Sequence, residues 1–199
     1  PPDRTPCHTT EKGQDHHPMN LQEERLSGKH VFKGRIIDLE VDQIQLPDGH
    51  NSIREVINHP GGVAIAALNE RDELLMVRQF RYPFRTVLLE LPAGKLEPGE
   101  IPLEAAKREQ KEETGTQAEE YLSLGKYFAT PAYCTEQIYL WACRVTAFGE
   151  QHLDEGEFLE VVTVPLEKAV AMVLNNEIPD GKTQVGILKT YVLVKGGKL

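Results

Sequence analysis

From Val31 onward apolar and polar residues alternate with the two-residue period of half-buried strands. Residues 31–46 and 51–58 flank the turn Pro47-Asp48-Gly49-His50, a pattern that predicts a β-hairpin. Gly61-Gly62 breaks the chain. VAIAALN (63–69) and ELLMVRQF (73–80) then flank the polar turn Glu70-Arg71-Asp72 and predict a second hairpin. TVLLELPAG (86–94) reads as a buried strand ending at a glycine. Pro102 suits the first turn of a helix, where the N–H it lacks would have no partner. Leu103 and Ala106 share one face of that helix, and Gly115 suits the residue just past its end. Strands follow near 121–128, 137–147 and 158–164; Pro165 opens a helix to about Leu174, and Gly181 precedes a helical stretch to about Val194. No internal repeat is evident. Sheet interrupted by a few helices predicts an α/β (α+β) fold with helices on each side of a mixed sheet.

Residues 1–18 are polar, Pro-rich and aperiodic, and read as a disordered leader or an expression remnant, with Met19 as a natural start. His8, His16 and His17 within them fit a flexible tail better than a metal site.

The chain has 199 residues, 40% of them hydrophobic, which suits one domain with a small extension. Its formal net charge of -9 argues against a general binder of nucleic acid or of anionic membranes. An anionic substrate would therefore need a bound cation or a local cluster of arginines. Cys7, Cys134 and Cys143 are odd in number and form no CxxC, so a reduced, cytoplasmic setting fits better than a disulfide scaffold. No apolar run approaches the roughly 20 residues of a membrane span, and no signal-like segment opens the chain.

The chemistry concentrates in the helix that Pro102 opens. Glu109, Glu112 and Glu113 stand at i, i+3 and i+4 and share one face. Three like charges there destabilise a helix unless something compensates them, and a hard divalent cation with oxygen ligands does so. A solvated acidic face is the plain alternative. The flanking spacing decides between them. Gly94, Glu100, Arg108-Glu109, Glu112-Glu113 and Gly115 fall at fixed intervals over 22 residues. This pattern closely resembles the Nudix box. Two positions that the box usually fills with apolar residues are polar here, Gln110 and Thr116. Those positions pack the helix on the sheet, so the departure bears on local stability more than on chemistry.

LPAG (91–94), VRQFRYP (77–83), REVINHPGGVAI (54–65) and DGKTQVGI (180–187) extend the resemblance to the ADP-ribose pyrophosphatase branch, over about residues 30–195. The resemblance implies an α/β/α sandwich. It also implies a β-extension over 19–60 ahead of a hydrolase domain over 61–199, and a homodimer in which the extension helps build the partner's substrate pocket. Its cofactor is magnesium, with manganese an alternative that prefers similar oxygen sites. By the same resemblance Glu109, Glu113 and the carbonyl of Ala93 are metal ligands, and Glu112 is either a ligand or an outer contact. Arg108 and Glu100 orient the glutamates. Glu155, in the acidic turn Asp154-Glu155-Gly156-Glu157, is the candidate general base, and Glu157 a further ligand. Glu136 competes for the role of base. The branch usually has Pro-Gly where this chain has Pro131-Ala132, a change that bears on the conformation of that loop.

Arg81 matches an arginine that meets the pyrophosphate or ribose, and a guanidinium fork suits phosphate oxygens. Arg54 and Glu55 match a pair near the adenine and its ribose. Arg35 and Ile36 match positions that reach the partner's nucleobase pocket, and Lys95 and Thr130 match contacts to the terminal ribose. His59 reads as a turn residue, because carboxylates already supply this chemistry. Cys134, Cys143 and Trp141 read as packing residues.

The expected activity is hydrolysis of the pyrophosphate of a nucleoside diphosphate sugar, with ADP-ribose ahead of GDP-mannose. A sensor that binds such a molecule without cleaving it is the rival class. It is disfavoured because all three box glutamates are kept and no DNA-binding domain is evident.

Overall fold

The computed structural model describes residues 19–199, and the leader expected over 1–18 lies outside them. The chain enters through a three-stranded antiparallel sheet of β1 (Glu24–Lys33), β2 (Asp38–Gln45) and β3 (Asn51–Ile57). The β2–β3 hairpin is where the alternation predicts it. The single strand expected over 31–46 is instead two: the chain turns at 34–37, with the Gly34 N–H donating to Ile37 O at 2.8 Å. β1 begins at Glu24, well before any readable alternation, because every one of its residues is exposed. Backbone pairing to β2 holds it, helped by ion pairs such as Arg25 Nε to Asp42 Oδ2 at 2.8 Å.

The main sheet is built from β4 (Gly62–Leu68), β5 (Glu73–Arg81), β6 (Thr86–Glu90), β7 (Ala93–Lys95), β9 (Tyr121–Phe128), β10 (Gln137–Arg144) and β12 (Leu159–Pro165), with the short β8 (Thr116–Gln117) and β11 (Ala147–Phe148) paired apart. Its order is β12-β5-β4-β10-β9, with β6 beside β5 and β7 beside β4. β10 runs parallel to β4 and the other pairings are antiparallel, so the sheet is mixed. The run expected as one strand over 86–94 divides at Leu91-Pro92. Its first half pairs with β5 and its second with β4, and Pro92 has no N–H to continue a ladder.

β4 is buried at all seven positions, which explains its unbroken apolar sequence. Ala64, Ala66 and Leu68 face a core shared with α2 (Leu166–Leu174) and α3 (Gly181–Lys195), including Ala169, Val173 and Ile187. Val63, Ile65 and Ala67 face the opposite core, with Ala105 and Ala106 of α1 (Pro102–Thr114). The result is the α/β/α sandwich that the resemblance implies. No helix among the described residues is long and apolar enough to cross a membrane.

The two polar departures in the box complete each other in the core. Gln110 is fully buried, and its side-chain amide donates to Thr116 Oγ1 at 3.1 Å. Its carbonyl accepts from Tyr121 Oη at 2.8 Å and from Cys143 Sγ at 3.4 Å. Thr114 Oγ1 lies 2.7 Å from Thr116 Oγ1. Every member therefore has a partner, which is the condition under which a buried polar group is tolerated. Burial pushes the Cys143 thiol up to about 12, so it acts as a small core residue. Gln110→Ala strands the Tyr121 hydroxyl, leaves Thr116 Oγ1 with Thr114 alone, and opens a void. It should destabilise the fold by about 3 kcal/mol, read in urea melts. A change below about 0.5 kcal/mol would mean the network carries no stability.

Candidate active site

Helix α1 sets the acidic residues directly over β7. Glu113 is 2% exposed, and its Oε2 accepts the N–H of Ala93 at 2.9 Å. The carboxylate of Glu109 lies over Gly94, where a Cβ would stand 1.9 Å from Oε1. Glycine at position 94 is thus what lets the helix approach the strand. At the other end of α1, Gly115 takes φ 67° and ends the helix, its N–H donating to Lys111 O at 2.9 Å.

Arg108 gathers the remaining acids. Its Nε and Nη2 donate to the two oxygens of Glu100 at 3.0 Å each, and its Nη1 donates to Glu109 at 2.7 Å and to Glu112 at 3.0 Å. Glu100 also accepts the N–H of Glu97 at 3.0 Å, which ties down the loop ahead of the helix. The Arg108 hydrogen bonds hold the Glu100 carboxyl below its ordinary range. Burial does the reverse to Glu109 and Glu113. It raises both, and it pushes Glu113 up to about 8, with the charges of Glu109 and Glu157 adding to the effect.

Ala93 and Gly94, which carry these glutamates, also line a cleft of about 460 Å³, together with Arg81, Lys95, Tyr127, Glu136, Asp180, Gly181 and Lys182. Arg81 forks onto Glu90, with Nε to Oε1 at 2.7 Å and Nη2 to Oε2 at 2.8 Å. Glu90 is 1% exposed and also receives the Lys182 ammonium. Burial alone would raise the Glu90 carboxyl, but the bonds and charges of Arg81 and Lys182 outweigh it and hold it low. Lys182 Nζ reaches Asp180 Oδ2 at 3.0 Å, and that same oxygen caps α3 by accepting the N–H of Thr183 at 3.0 Å.

Arg81, Ala93 and Lys95 line the cleft, and Glu109, Glu112 and Glu113 stand on the adjoining helix. Thr130 lies at the start of the loop 130–136, where its carbonyl accepts the N–H groups of Tyr133 and Cys134. Glu157 is half-buried near Gln79 and within electrostatic reach of Glu109 and Glu113. Glu155 is exposed in the turn closed by the Glu157 N–H on Asp154 O at 3.0 Å, and it does not line the cleft. Glu136 does line it, with its carboxylate 3.6 Å from His59 Nδ1. His59 serves its turn: its N–H donates to Thr135 Oγ1 at 2.8 Å, and its Nδ1 accepts the Gly61 N–H at 3.1 Å.

Of the seven predicted substrate contacts only Arg81 and Lys95 line the cleft; Thr130 does not, nor do the four in the N-terminal extension. Arg35 and Ile36 are exposed at the β1–β2 turn. Arg54 pairs with Glu23, and with Glu55 it borders a separate hollow beside Ala132 and Tyr133. Conversely, Glu90, Tyr127, Asp180 and Lys182 are at the cleft without having been singled out from the sequence. A charged residue inside the apolar run TVLLELPAG was the available signal for Glu90.

The acids suit a hard cation. Glu113 is a buried carboxylate whose nearest charged company includes two more carboxylates, a donor set of oxygens only. Among the described residues no three acidic, histidine or cysteine side chains already converge at ligating distance. Glu109 and Glu112 are instead paired with Arg108, and Glu113 is bonded to the Ala93 N–H.

The NUDIX domain matches residues 58–184, and the nucleoside diphosphate sugar hydrolase N-terminal domain matches residues 23–57. The chain is 38% identical to an ADP-ribose pyrophosphatase of Bacillus subtilis over 84% of its own length and 92% of that protein's. It is 35% identical to a methanol dehydrogenase activator of Bacillus methanolicus, over 84% and 91%. It is 32% identical to a GDP-mannose pyrophosphatase of Yersinia enterocolitica, over 82% and 90%. A crystal structure of an ADP compounds hydrolase, 22% identical, superposes with a TM-score of 0.77 over 90% of this chain and 99% of that one, which supports the same fold.

Proposed function

The chain belongs to the Nudix family, and on that premise we propose that it is a magnesium-dependent pyrophosphohydrolase that splits ADP-ribose into AMP and ribose 5-phosphate. The observation that carries the proposal is the cleft bounded by Arg81 and by the short strand Ala93–Lys95. That strand also carries the acidic face of α1, because Glu113 accepts the Ala93 N–H and Glu109 packs over Gly94. A divalent cation held at those glutamates would stand beside a pyrophosphate bound in the cleft. The preference for ADP-ribose over GDP-mannose rests on the higher identity to the Bacillus subtilis relative.

Glu109, Glu113, Glu157 and the Ala93 carbonyl are the residues that would hold the metal, with Glu112 able to join them once Arg108 shifts. When bound, magnesium neutralises phosphate charge and lowers the pKa of an attacking water. Arg81 neutralises the phosphate oxygens, and Lys95 and Thr130 face the terminal ribose. Glu155 takes the proton of the attacking water when the turn 154–157 folds toward the cleft.

Arg35, Ile36, Arg54 and Glu55 lie away from this chain's own cleft, which supports their use in a partner's. The N-terminal sheet exposes Leu26, Val31, Phe32 and Ile53, and the β1–β2 turn exposes Ile36, apolar side chains that a partner subunit would cover. The proposal therefore includes a homodimer. A sedimenting mass of one 22.4 kDa chain in the active enzyme would remove it.

Incubating the protein with ADP-ribose, GDP-mannose, NADH and ATP, in magnesium and in EDTA, tests the activity. AMP should form fastest from ADP-ribose and stop in EDTA. Preference for another of the four would change the substrate but keep the chemistry. Binding of ADP-ribose without turnover of any of them would favour a sensor.

A further inference from the structure

Two cations share one buried carboxylate at the cleft. Arg81 is bidentate on Glu90, and Lys182 bonds the same side chain at Oε2. Lys182 also pairs with Asp180, but Asp180 is more exposed than Glu90 and is compensated at the N-terminus of α3 by the Thr183 N–H, so Lys182 can serve Glu90 when Arg81 turns away. Arg81 is about one-third exposed, whereas Lys182 is 11% and Glu90 1%. The residue that can leave is therefore Arg81, and the residue that stays is Lys182. Asp180 Oδ2 holds Lys182 from the other side and is itself fixed at the N-cap of α3.

A guanidinium that turns from Glu90 to a phosphate leaves a carboxylate behind in the protein interior. An uncompensated buried charge is strongly destabilising, so without a second cation Arg81 would be locked to Glu90. We propose that Lys182 is a positioning residue: by keeping Glu90 paired, it releases Arg81 to the pyrophosphate of the substrate. This rests on the reading of the cleft as a pyrophosphate site, though not on which sugar the pyrophosphate carries. Arg81 lines the same cleft as Ala93, whose N–H Glu113 accepts, and its guanidinium feels the charge of Glu113.

The arrangement makes an unusual demand on a pair of substitutions. Lys182→Met leaves Arg81 as the sole partner of Glu90, and KM for the substrate should rise about 10-fold or more while kcat changes much less. Lys182→Arg keeps a cation at Glu90 and should restore most of the loss. Glu90→Gln in the Lys182→Met background removes the charge that locks Arg81. The double variant should therefore bind substrate better than Lys182→Met alone, a coupling of favourable sign.

Steady-state kinetics on the parent's best substrate among the four nucleotides reads this, with melting curves to confirm that each variant folds. Thermal stabilisation by inorganic pyrophosphate with magnesium gives the same ranking without turnover. Failure of the parent to cleave ADP-ribose would overturn the substrate assignment but leave this second series readable. A double variant no better than Lys182→Met would overturn the proposal, since a lysine that touches phosphate directly, or merely braces α3, gives that result. An unchanged KM in Lys182→Met would overturn it too.

Discussion

Glu113→Gln is expected to lower kcat by about 1,000-fold, the equivalent of about 4 kcal/mol, while raising the melting temperature of the protein in EDTA. The two effects have one cause. Glu113 is a buried carboxylate, and burial together with Glu109 and Glu157 pushes it up to about 8. With no cation to compensate it, keeping that group ionised out of water, or binding a proton to it at neutral pH, opposes folding. Glutamine has nearly the same shape, and its carbonyl can still accept the Ala93 N–H that Glu113 Oε2 accepts. The amide should therefore remove the desolvation cost and keep the contact, a gain of about 1 kcal/mol or more and roughly 3 °C in melting temperature. The parent should recover this difference when magnesium is added, because an ion that binds only the folded state stabilises it. The variant should respond to magnesium far less. Differential scanning calorimetry with and without the metal reads both signs. A variant less stable than the parent in EDTA, with normal turnover in magnesium, would mean that Glu113 is a structural acid and the metal lies elsewhere.

That trade between stability and chemistry also explains what the sequence disclosed. The box was legible because its chemistry fixes spacing: Glu109 and Glu113 must share a face, and Gly94 must let that face settle on β7. The central strands were legible because β4 and the first half of β5 are buried and their composition is set by the core. β1 was not legible, since a strand exposed along its whole length is held by backbone bonds that any side chain permits. The division of 86–94 was hidden too, because both halves are apolar and only their partners differ. Gln110 and Thr116 looked like gaps in the packing when taken singly. They are adequate together, a fact that depends on Tyr121 and Cys143 arriving from other strands. Glu90 and Lys182 illustrate the same limit at the cleft. They lie 92 residues apart, and nothing local to either reveals that they meet.

The same reasoning bears on the proton acceptor, where Glu155→Gln should lower kcat by about 100-fold with KM little changed. The turn 154–157 presents two carboxylates to different surroundings. Glu157 is half-buried within reach of Glu109 and Glu113, and Glu155 stands in solvent at the tip. A carboxylate already among the acids is suited to holding a cation. On the proposed reading one in solvent would be free to approach a water once the turn folds toward the cleft, and Gly156 between them takes φ 84°, a conformation that lets the turn bend sharply. Glu136 lies within the cleft from the outset, but beside His59 and on the side of β10 rather than over α1. Glu136→Gln should accordingly raise KM more than it lowers kcat. Single-turnover rates separate the two, because they exclude product release. If Glu136→Gln proved the slower enzyme in single turnover, the base would move to Glu136. Near-normal single turnover in both variants, with loss only in Glu157→Gln, would give both tasks of the turn to Glu157.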